Sequence, residues 1–289
     1  MAFRMNSGRF LGTTVPAQGF SSSSAIAAPP RQACKEVANR LPTEVGFRML
    51  VACLLEGGPP VSDLHTLTDD LVKASLAKVK SESPPVPEKI TNVSSAVDWY
   101  AMQVRRMTES IDDVERSLDA KSSCSKGCTH CCNQAILITV IEAAAITGHL
   151  KTKSHDERKT VQKKVDEACE AILSTVGEPS SDDRATLDAH RKRYFASHIP
   201  CPLLAPDGSC GVYSVRPTNC WTYRAYGDPL WCQASPDVEG TVTYADREQV
   251  LIHSMGPMLR RIPSSWRSVQ PLRLLPFALK EFWAKASPL

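Results

Sequence analysis

The chain has 289 residues, of which 42% are hydrophobic and 22% are charged, and its formal net charge is +3. A chain of this length can bury a sizeable core without disulfides and form one large domain or two smaller ones. The low net charge argues against a nucleic-acid-binding protein. No apolar run reaches the roughly 18 residues that span a bilayer. We therefore expect neither nucleic acid nor a membrane as a partner.

The first 40 residues are predicted to form a flexible N-terminal tail. No acidic residue occurs from Met1 to Cys34, whereas three arginines and the serine run Ser21–Ser24 do. This composition is typical of organelle transit peptides and also of tails with no targeting role, which we expect here. The tail lacks the apolar core of a secretory signal, which favours a reducing compartment. The expected location is cytoplasmic, with the mitochondrion as the alternative.

Prolines and glycines divide the rest of the chain into two parts. The apolar segment between Leu41 and Leu55 indicates a helix, and Val61–Lys80 carries apolar residues at the three- and four-residue intervals of an amphipathic helix. Together with a proline-rich linker they form a predicted accessory segment, residues 41–87. Residues 88–289 form the predicted main domain.

The main domain is predicted to be mainly α, with helices around a loop-rich cysteine module and at most a few short strands. The sequence Thr139-Val-Ile-Glu142 has the form of a capping box and predicts a helix to about Leu150 that stops near Gly148. Apolar spacing predicts further helices at Ser95–Leu118, at His155–Val176 and Ser181–Ser197 within an insert (150–197), at Arg247–Arg260 and at Leu275–Trp283. A short strand is predicted at Thr241–Tyr244.

Eight of the eleven cysteines fall in two sets along the chain. The first set is Cys124, Cys128, Cys131 and Cys132, and the second is Cys201, Cys210, Cys220 and Cys232. Short spacings of this kind bring several thiolates to one metal ion or cluster. Thiolates prefer soft or borderline metals, so the predicted cofactor is Zn²⁺ or iron, the latter as an ion or an iron–sulfur cluster. The spacing alone does not decide between them.

The adjacent pair Cys131 and Cys132 is unusual for a tetrahedral site. In an extended chain the two side chains point to opposite sides, and in a helix they diverge by about 100°. They cannot easily serve one ion together. Either they bind different metal atoms, or only one of them is a ligand.

Several charged residues near these cysteines allow two interpretations. Lys126, Arg216 and Arg224 could offset the negative charge of thiolates, or they could be ordinary solvated surface charges, which is the commoner case. His130 could supply a nitrogen ligand, although the neighbouring thiols are already sufficient in number.

The other three cysteines are assigned no role. Cys34 lies in the tail, whereas Cys53 and Cys169 lie on apolar helix faces, where isolated cysteines usually behave as small buried hydrophobes. A disulfide framework is disfavoured because the chain is long and lacks a secretory signal. A thioredoxin-type dithiol is disfavoured because its βαβ context is missing.

The cysteine pattern of residues 121–232 resembles the YkgJ-like cysteine cluster family, of the CxxCxxCC type. The resemblance rests on the first set, on Cys201-Pro-Leu-Leu204 and on Val212-Tyr-Ser-Val-Arg-Pro-Thr-Asn-Cys220, followed by Cys232. It implies a zinc- or iron-chelating domain with eight cysteines. One difference is Trp221, where the family often has arginine. A related branch that includes a flagellin lysine N-methylase would need a methyl-donor site, and no glycine-rich donor loop is present here.

Three functions are compatible with these features. The favoured one is a metal- or cluster-binding protein that serves metal handling, redox sensing or electron transfer. The second is a cluster-dependent enzyme that modifies proteins, with the helical insert (150–197) and the aromatic segment Trp221–Trp231 as its substrate surface. These aromatics more often shield a metal site from water. The third is a zinc-stabilised helical module that binds a protein partner. No catalytic residue is predicted.

Overall fold

The computed structural model describes residues 61–79, 90–125, 127–178, 183–229, 232, 240–259 and 261–289. The predictions for the tail, for the helix between Leu41 and Leu55 and for the linker lie outside the described residues. The same holds for Lys126, Trp231 and the cysteines before residue 61.

Helices dominate the described chain, so the prediction of a mainly α fold is confirmed. They are α1 (Val61–Val79), α2 (Val93–Ser117), α3 (Val140–Lys151), α4 (His155–Thr175), α5 (Arg184–Ala196), α6 (Thr218–Thr222), α7 (Ala245–Leu259) and α8 (Leu275–Lys285). Short 3-10 turns occupy Tyr213–Val215 and Ser264–Ser268. Among the described helices, none combines the length and apolarity needed to cross a bilayer.

Within the described residues, four three-residue strands pair into two antiparallel ribbons. β1 (Leu137–Thr139) pairs with β4 (Leu272–Leu274), and β2 (Tyr223–Ala225) pairs with β3 (Thr241–Thr243). β1 directly follows the first cysteine set, and β2 begins three residues after Cys220. The β1–β4 ribbon therefore fixes the end of the first cysteine loop to a distant part of the chain, and the β2–β3 ribbon closes the segment that contains Cys232.

At the centre of the fold, α2 packs against α3. The first cysteine loop connects the two helices. α2 begins at Asn92, whose side chain and that of Ser95 form a reciprocal capping box. One stripe of α2 is buried, including Tyr100 and Ile111, as its apolar spacing predicts. α3 is buried on nearly every side, which matches its alanine-rich sequence. These two helices form the support on which the loop rests.

The predicted helix to about Leu150 is confirmed, since α3 ends at Lys151, but Gly148 lies inside α3 and does not stop it. Gly148 lies where α3 contacts the start of α2. A Cβ atom at this position would stand 2.6 Å from Val97 Cγ2 and 2.7 Å from the Val93 carbonyl oxygen. The glycine therefore permits close helix packing and does not end the helix.

The flanking helices complete the core. α8 packs against α3 and α4, and the Trp283 indole donates a hydrogen bond to Thr147 Oγ1 at 3.0 Å. α1 packs against α2 and α7, with Leu71 fully buried and Ser75 Oγ donating to Asp246 at 2.7 Å. α1 thus shares one continuous hydrophobic core with the rest of the described chain.

Replacing Gly148 tests the close approach of α2 and α3. Gly148→Ala improves helix propensity by about 1 kcal/mol, but the new methyl group meets a backbone carbonyl that cannot rotate away. Overpacking typically costs about 1–3 kcal/mol. We expect the variant to unfold at lower urea concentration than the wild type.

The double variant Gly148→Ala/Val97→Ala removes the contact with Val97 Cγ2 but keeps the contact with the Val93 carbonyl, so recovery should be incomplete. A single variant that is as stable as the wild type would show that the helices do not approach so closely.

Candidate metal centre

Cysteines from both sets line one cavity of about 290 Å³. Those on its wall are Cys124, Cys128, Cys131, Cys132, Cys201, Cys210 and Cys220. Cys232 is buried, with 4% of its surface exposed, and interacts electrostatically with Cys131, Cys124 and Cys128. All nine described cysteines are free thiols. The structure therefore brings the two sets together, although nearly seventy residues separate Cys132 from Cys201.

Backbone hydrogen bonds tie the two cysteine loops to each other. Cys201 N donates to the Cys132 carbonyl at 2.7 Å, which joins the end of one set to the start of the other. Ser123 N donates to the Ala225 carbonyl at 2.8 Å, and Ala225 N donates to Cys124 Sγ at 3.3 Å. The first loop is thus attached to β2 as well. Gly127, with φ of +96°, provides the left-handed turn between the first two cysteines.

Several sulfur atoms accept hydrogen bonds from the backbone N–H two residues later. The donors are His130 for Cys128, Leu203 for Cys201 and Val212 for Cys210. In each case the bond lowers the pKa of the thiol, because it stabilises the thiolate form. A metal binds that same form. The donor set therefore fits a thiolate-bound metal, with these backbone groups holding the sulfur atoms in place.

Burial acts in the opposite direction and is the stronger effect. It raises the pKa of Cys201 and of Cys232 to about 12. Burial also raises the pKa of Cys210 and of Cys220. Cys220 has accessible surface toward the cavity, but enough protein surrounds its sulfur atom to disfavour the thiolate. A hydrogen bond with Cys132, and then burial, raises the pKa of Cys131. Without a cation, these five thiols are neutral at physiological pH.

Cys131 occupies the middle of the cysteine cluster. It interacts electrostatically with Cys128, Cys201, Cys210, Cys220 and Cys232, and it is hydrogen-bonded to Cys132. The thiols on either side fall into two groups. One contains Cys124, Cys128 and Cys232, and the other contains Cys201, Cys210 and Cys220. The adjacent pair thus lies where the two groups meet.

Arg216 provides positive charge in the cavity wall. Its guanidinium stacks over the Tyr213 ring, 4.0 Å from the centroid, and its charge lowers the pKa of Cys131, Cys210 and Cys220. Thiolates held by a metal accumulate negative charge, and at this site the Arg216 guanidinium would offset it.

Arg224 also lines the cavity but has other partners. It is buried, and its Nη1 lies 2.7 Å from both Asp112 and Glu115. The interpretation of Arg224 as a solvated surface charge is therefore wrong, because it belongs to a buried ion-pair network. Tyr226 joins that network by donating to Glu115 at 2.7 Å.

The remaining residues named from the sequence divide between the cavity wall and the protein interior. Trp221 and Tyr223 line the cavity, and Trp221 is almost fully buried. His130 is not among the lining residues. Cys169 is buried on α4, as expected of a small hydrophobe. As the side chains stand, no three of the described His, Cys, Asp and Glu residues form a ready-made ion site. A shared ion would draw sulfur atoms inward from the wall, since Zn–S bonds are only about 2.3 Å long.

The sequence did not reveal the network that positions Cys220. Glu142 Oε2 accepts from Thr139, as the capping box predicts, but Oε1 accepts from Tyr100 Oη at 2.9 Å and from Thr218 N and Oγ1 at 2.8 and 2.7 Å. This carboxylate therefore joins α2, α3 and α6, and α6 carries Cys220. The capping-box pattern identified one half of the interaction, whereas the other half depends on tertiary packing.

Comparison with known proteins agrees with this geometry. Residues 123–249 match the CxxCxxCC family model, described as a "putative zinc- or iron-chelating domain". The resemblance to a CxxCxxCC-type domain drawn from the cysteine pattern is thereby confirmed for this segment of the chain. No curated protein and no solved structure matches the chain.

Glu142→Gln tests whether the buried carboxylate supports the cysteine loops. Each carboxylate oxygen accepts from a backbone N–H, that of Thr139 or that of Thr218, so the amide NH₂ of glutamine faces an N–H group that cannot accept from it. We expect a loss of about 3 kcal/mol in the free energy of unfolding, measured by urea denaturation. Glu170→Gln, at an exposed position on α4, is the control and should change stability by less than about 0.5 kcal/mol. Equal stability of the two variants would contradict the role assigned to Glu142.

Proposed function

We propose that the eight cysteines bind zinc or iron as thiolates and that the protein serves in metal handling in a reducing compartment. The observation that supports this most strongly is the single cavity lined by seven thiols from two distant parts of the chain. Metal binding as such is supported by the match of residues 123–249 to a zinc- or iron-chelating domain. The identities of the ligands and the use made of the metal are the parts proposed here.

The eight thiols are proposed to form two four-thiolate sites. Cys124, Cys128 and Cys232 make up one group, and Cys201, Cys210 and Cys220 the other. Each is completed by one member of the Cys131–Cys132 pair. This assignment explains why the two cysteines are adjacent, since their side chains diverge toward different metal atoms. Four thiolates suit either Zn²⁺ or iron.

Access to the cavity favours metal handling over a closed structural site. Cys124 is exposed to solvent, and Cys220 opens onto the cavity. Structural zinc sites are normally closed, whereas a metal that is taken up and passed on needs an open approach. A protein that supplies or receives the metal would approach at Cys124.

An iron–sulfur cluster used in electron transfer is the second candidate. Arg216 favours it, because a positive charge beside the sulfur atoms stabilises the more negative, reduced form of such a cluster. The cavity is larger than a single ion requires. Absorption in the visible range after oxygen-free purification would identify this alternative, whereas zinc would leave the protein colourless.

The first experiment compares metal content in two cysteine variants. Protein purified without oxygen is analysed for zinc and iron, and we expect about two metal equivalents per chain if both sites fill. Cys131→Ser removes the thiol that lies between the two groups and should lower the content by at least one equivalent. Cys169→Ser, which changes a buried cysteine outside the cavity, should retain the full amount.

Two results would reject the metal assignment. One is wild-type protein with less than about half an equivalent of either metal after reconstitution. The other is Cys131→Ser protein with the same content and binding constant as Cys169→Ser.

Metal affinity is expected to rise with pH. Burial raises the pKa of Cys201 and Cys232 to about 12, so these thiols are protonated at neutral pH and each must release a proton to bind. The apparent affinity should increase about tenfold per pH unit for every proton released. Because the pKa values are raised, the increase should continue past about 8.5, where an ordinary thiol ionises. Competition titrations with a chelator of known affinity measure it, and a plateau below that pH would contradict the expected protonation.

A further inference from the structure

A second cavity, of about 460 Å³, lies against the cysteine cavity. Gln134, Ile136, Asn219 and Tyr223 line both spaces and form the wall between them. The remaining walls come from β1, β3, β4, α3, α5, α6 and α7. A space of this size is within the range of small-molecule pockets, and nothing in the metal assignment uses it.

Glu248 on α7 presents a carboxylate to this second cavity. Its one side-chain hydrogen bond is from Asn219 Nδ2 to Oε1, at 3.1 Å, and no cation pairs with it among the described residues. Burial, and then the charge of Glu142, raises the pKa of Glu248. A positively charged group in the cavity would stabilise the ionised carboxylate.

The other charged groups on the wall already have partners. Glu142 accepts hydrogen bonds at both oxygens from Thr139, Tyr100 and Thr218. The Arg191 guanidinium donates to Asp188 at 2.8 Å. A hard metal ion would need several oxygen ligands, and Glu248 alone cannot supply them. A single ammonium group needs only one carboxylate and a few neutral acceptors.

Apolar side chains form the rest of the wall. Ile252 and Leu272 are 45% and 49% exposed, which is unusual for large hydrophobic residues of this chain. Both line the second cavity, together with Ile136 and Leu137. An apolar ligand body would cover this surface.

From this arrangement we propose that the second cavity binds a small molecule consisting of a protonated amine and an apolar body. Glu248 pairs with the amine, and Ile252 and Leu272 contact the body. Asn219 and Tyr223 would separate a ligand in the second cavity from the cysteine cavity by the thickness of one side chain. The position of this ligand beside a metal rests on the proposed function. Binding of the amine in the second cavity does not, because it uses no cysteine.

Three phenylalkyl probes that differ in their polar end group test whether the second cavity requires a positively charged ligand. Binding of 2-phenylethylamine, 2-phenylethanol and 3-phenylpropanoate to the full-length protein, as purified with its metal, is measured by calorimetry at neutral pH. The amine should bind at least about tenfold more tightly than the alcohol, since a charge-assisted hydrogen bond replaces a neutral one. The carboxylate should not bind measurably. Equal affinity for amine and alcohol, or no binding of any probe, would overturn the proposal.

Variants at Glu248 locate the effect. Glu248→Gln keeps the size of the side chain and a carbonyl acceptor for Asn219, and should reduce the preference for the amine to about twofold or less. Glu248→Lys should favour the carboxylate probe instead. Glu170→Gln, exposed on α4, is the control and should bind all three probes like the wild type. An unchanged amine preference in Glu248→Gln would show that the amine binds elsewhere.

Metal content separates this proposal from the metal assignment. Glu248→Gln should retain the metal of the wild type, and metal-free protein should still distinguish amine from alcohol. Loss of amine selectivity with intact metal content would reject the amine pocket alone. Absence of metal with intact amine selectivity would reject the metal assignment alone.

Discussion

Glu142 is buried, with 2% of its surface exposed. Its carboxylate accepts hydrogen bonds from three separate parts of the chain. Burying a charge is costly unless every lone pair is satisfied. Here Thr139, Tyr100 and Thr218 provide those donors, so the three elements they belong to cannot move apart without exposing an unpaired charge. The cysteines before β1 and those around α6 take their positions from this arrangement. The cysteine cavity thus depends on an interaction that contains no sulfur.

Two opposing effects act on the thiols themselves. Burial disfavours the thiolate, whereas backbone N–H groups at Cys128, Cys201 and Cys210 and the charge of Arg216 favour it. Burial is the stronger of the two in the absence of metal. A bound cation reverses the balance, because it adds a large positive charge at the sulfur atoms. The same residues can therefore remain neutral and unreactive when free, and bind firmly when a metal arrives.

The sequence allowed the helices to be predicted well, because their signal is local. Apolar spacing and capping residues located α2 and α3 to within a few residues. Gly148 was misinterpreted because a glycine that ends a helix and one that lets another helix approach look the same in sequence. β1 pairs with β4 although the paired residues are 133 to 137 positions apart in sequence. Strands of three residues are too short to show the alternation from which such a pairing could be predicted. The cysteine spacing predicted the shared cavity, but the role of Glu248 required the fold.

The pairing of Leu137–Thr139 with Leu272–Leu274 also affects the order of events during synthesis. The first cysteines leave the ribosome long before the strand that fixes the end of their loop. Until the last helix has packed against α3 and α4, that loop has no partner on one side. A metal ion present at that stage would meet an incomplete site and bind to it only weakly. For the proposed metal centre, this order makes tight metal binding a late step, coupled to completion of the polypeptide and not to the appearance of its first thiols.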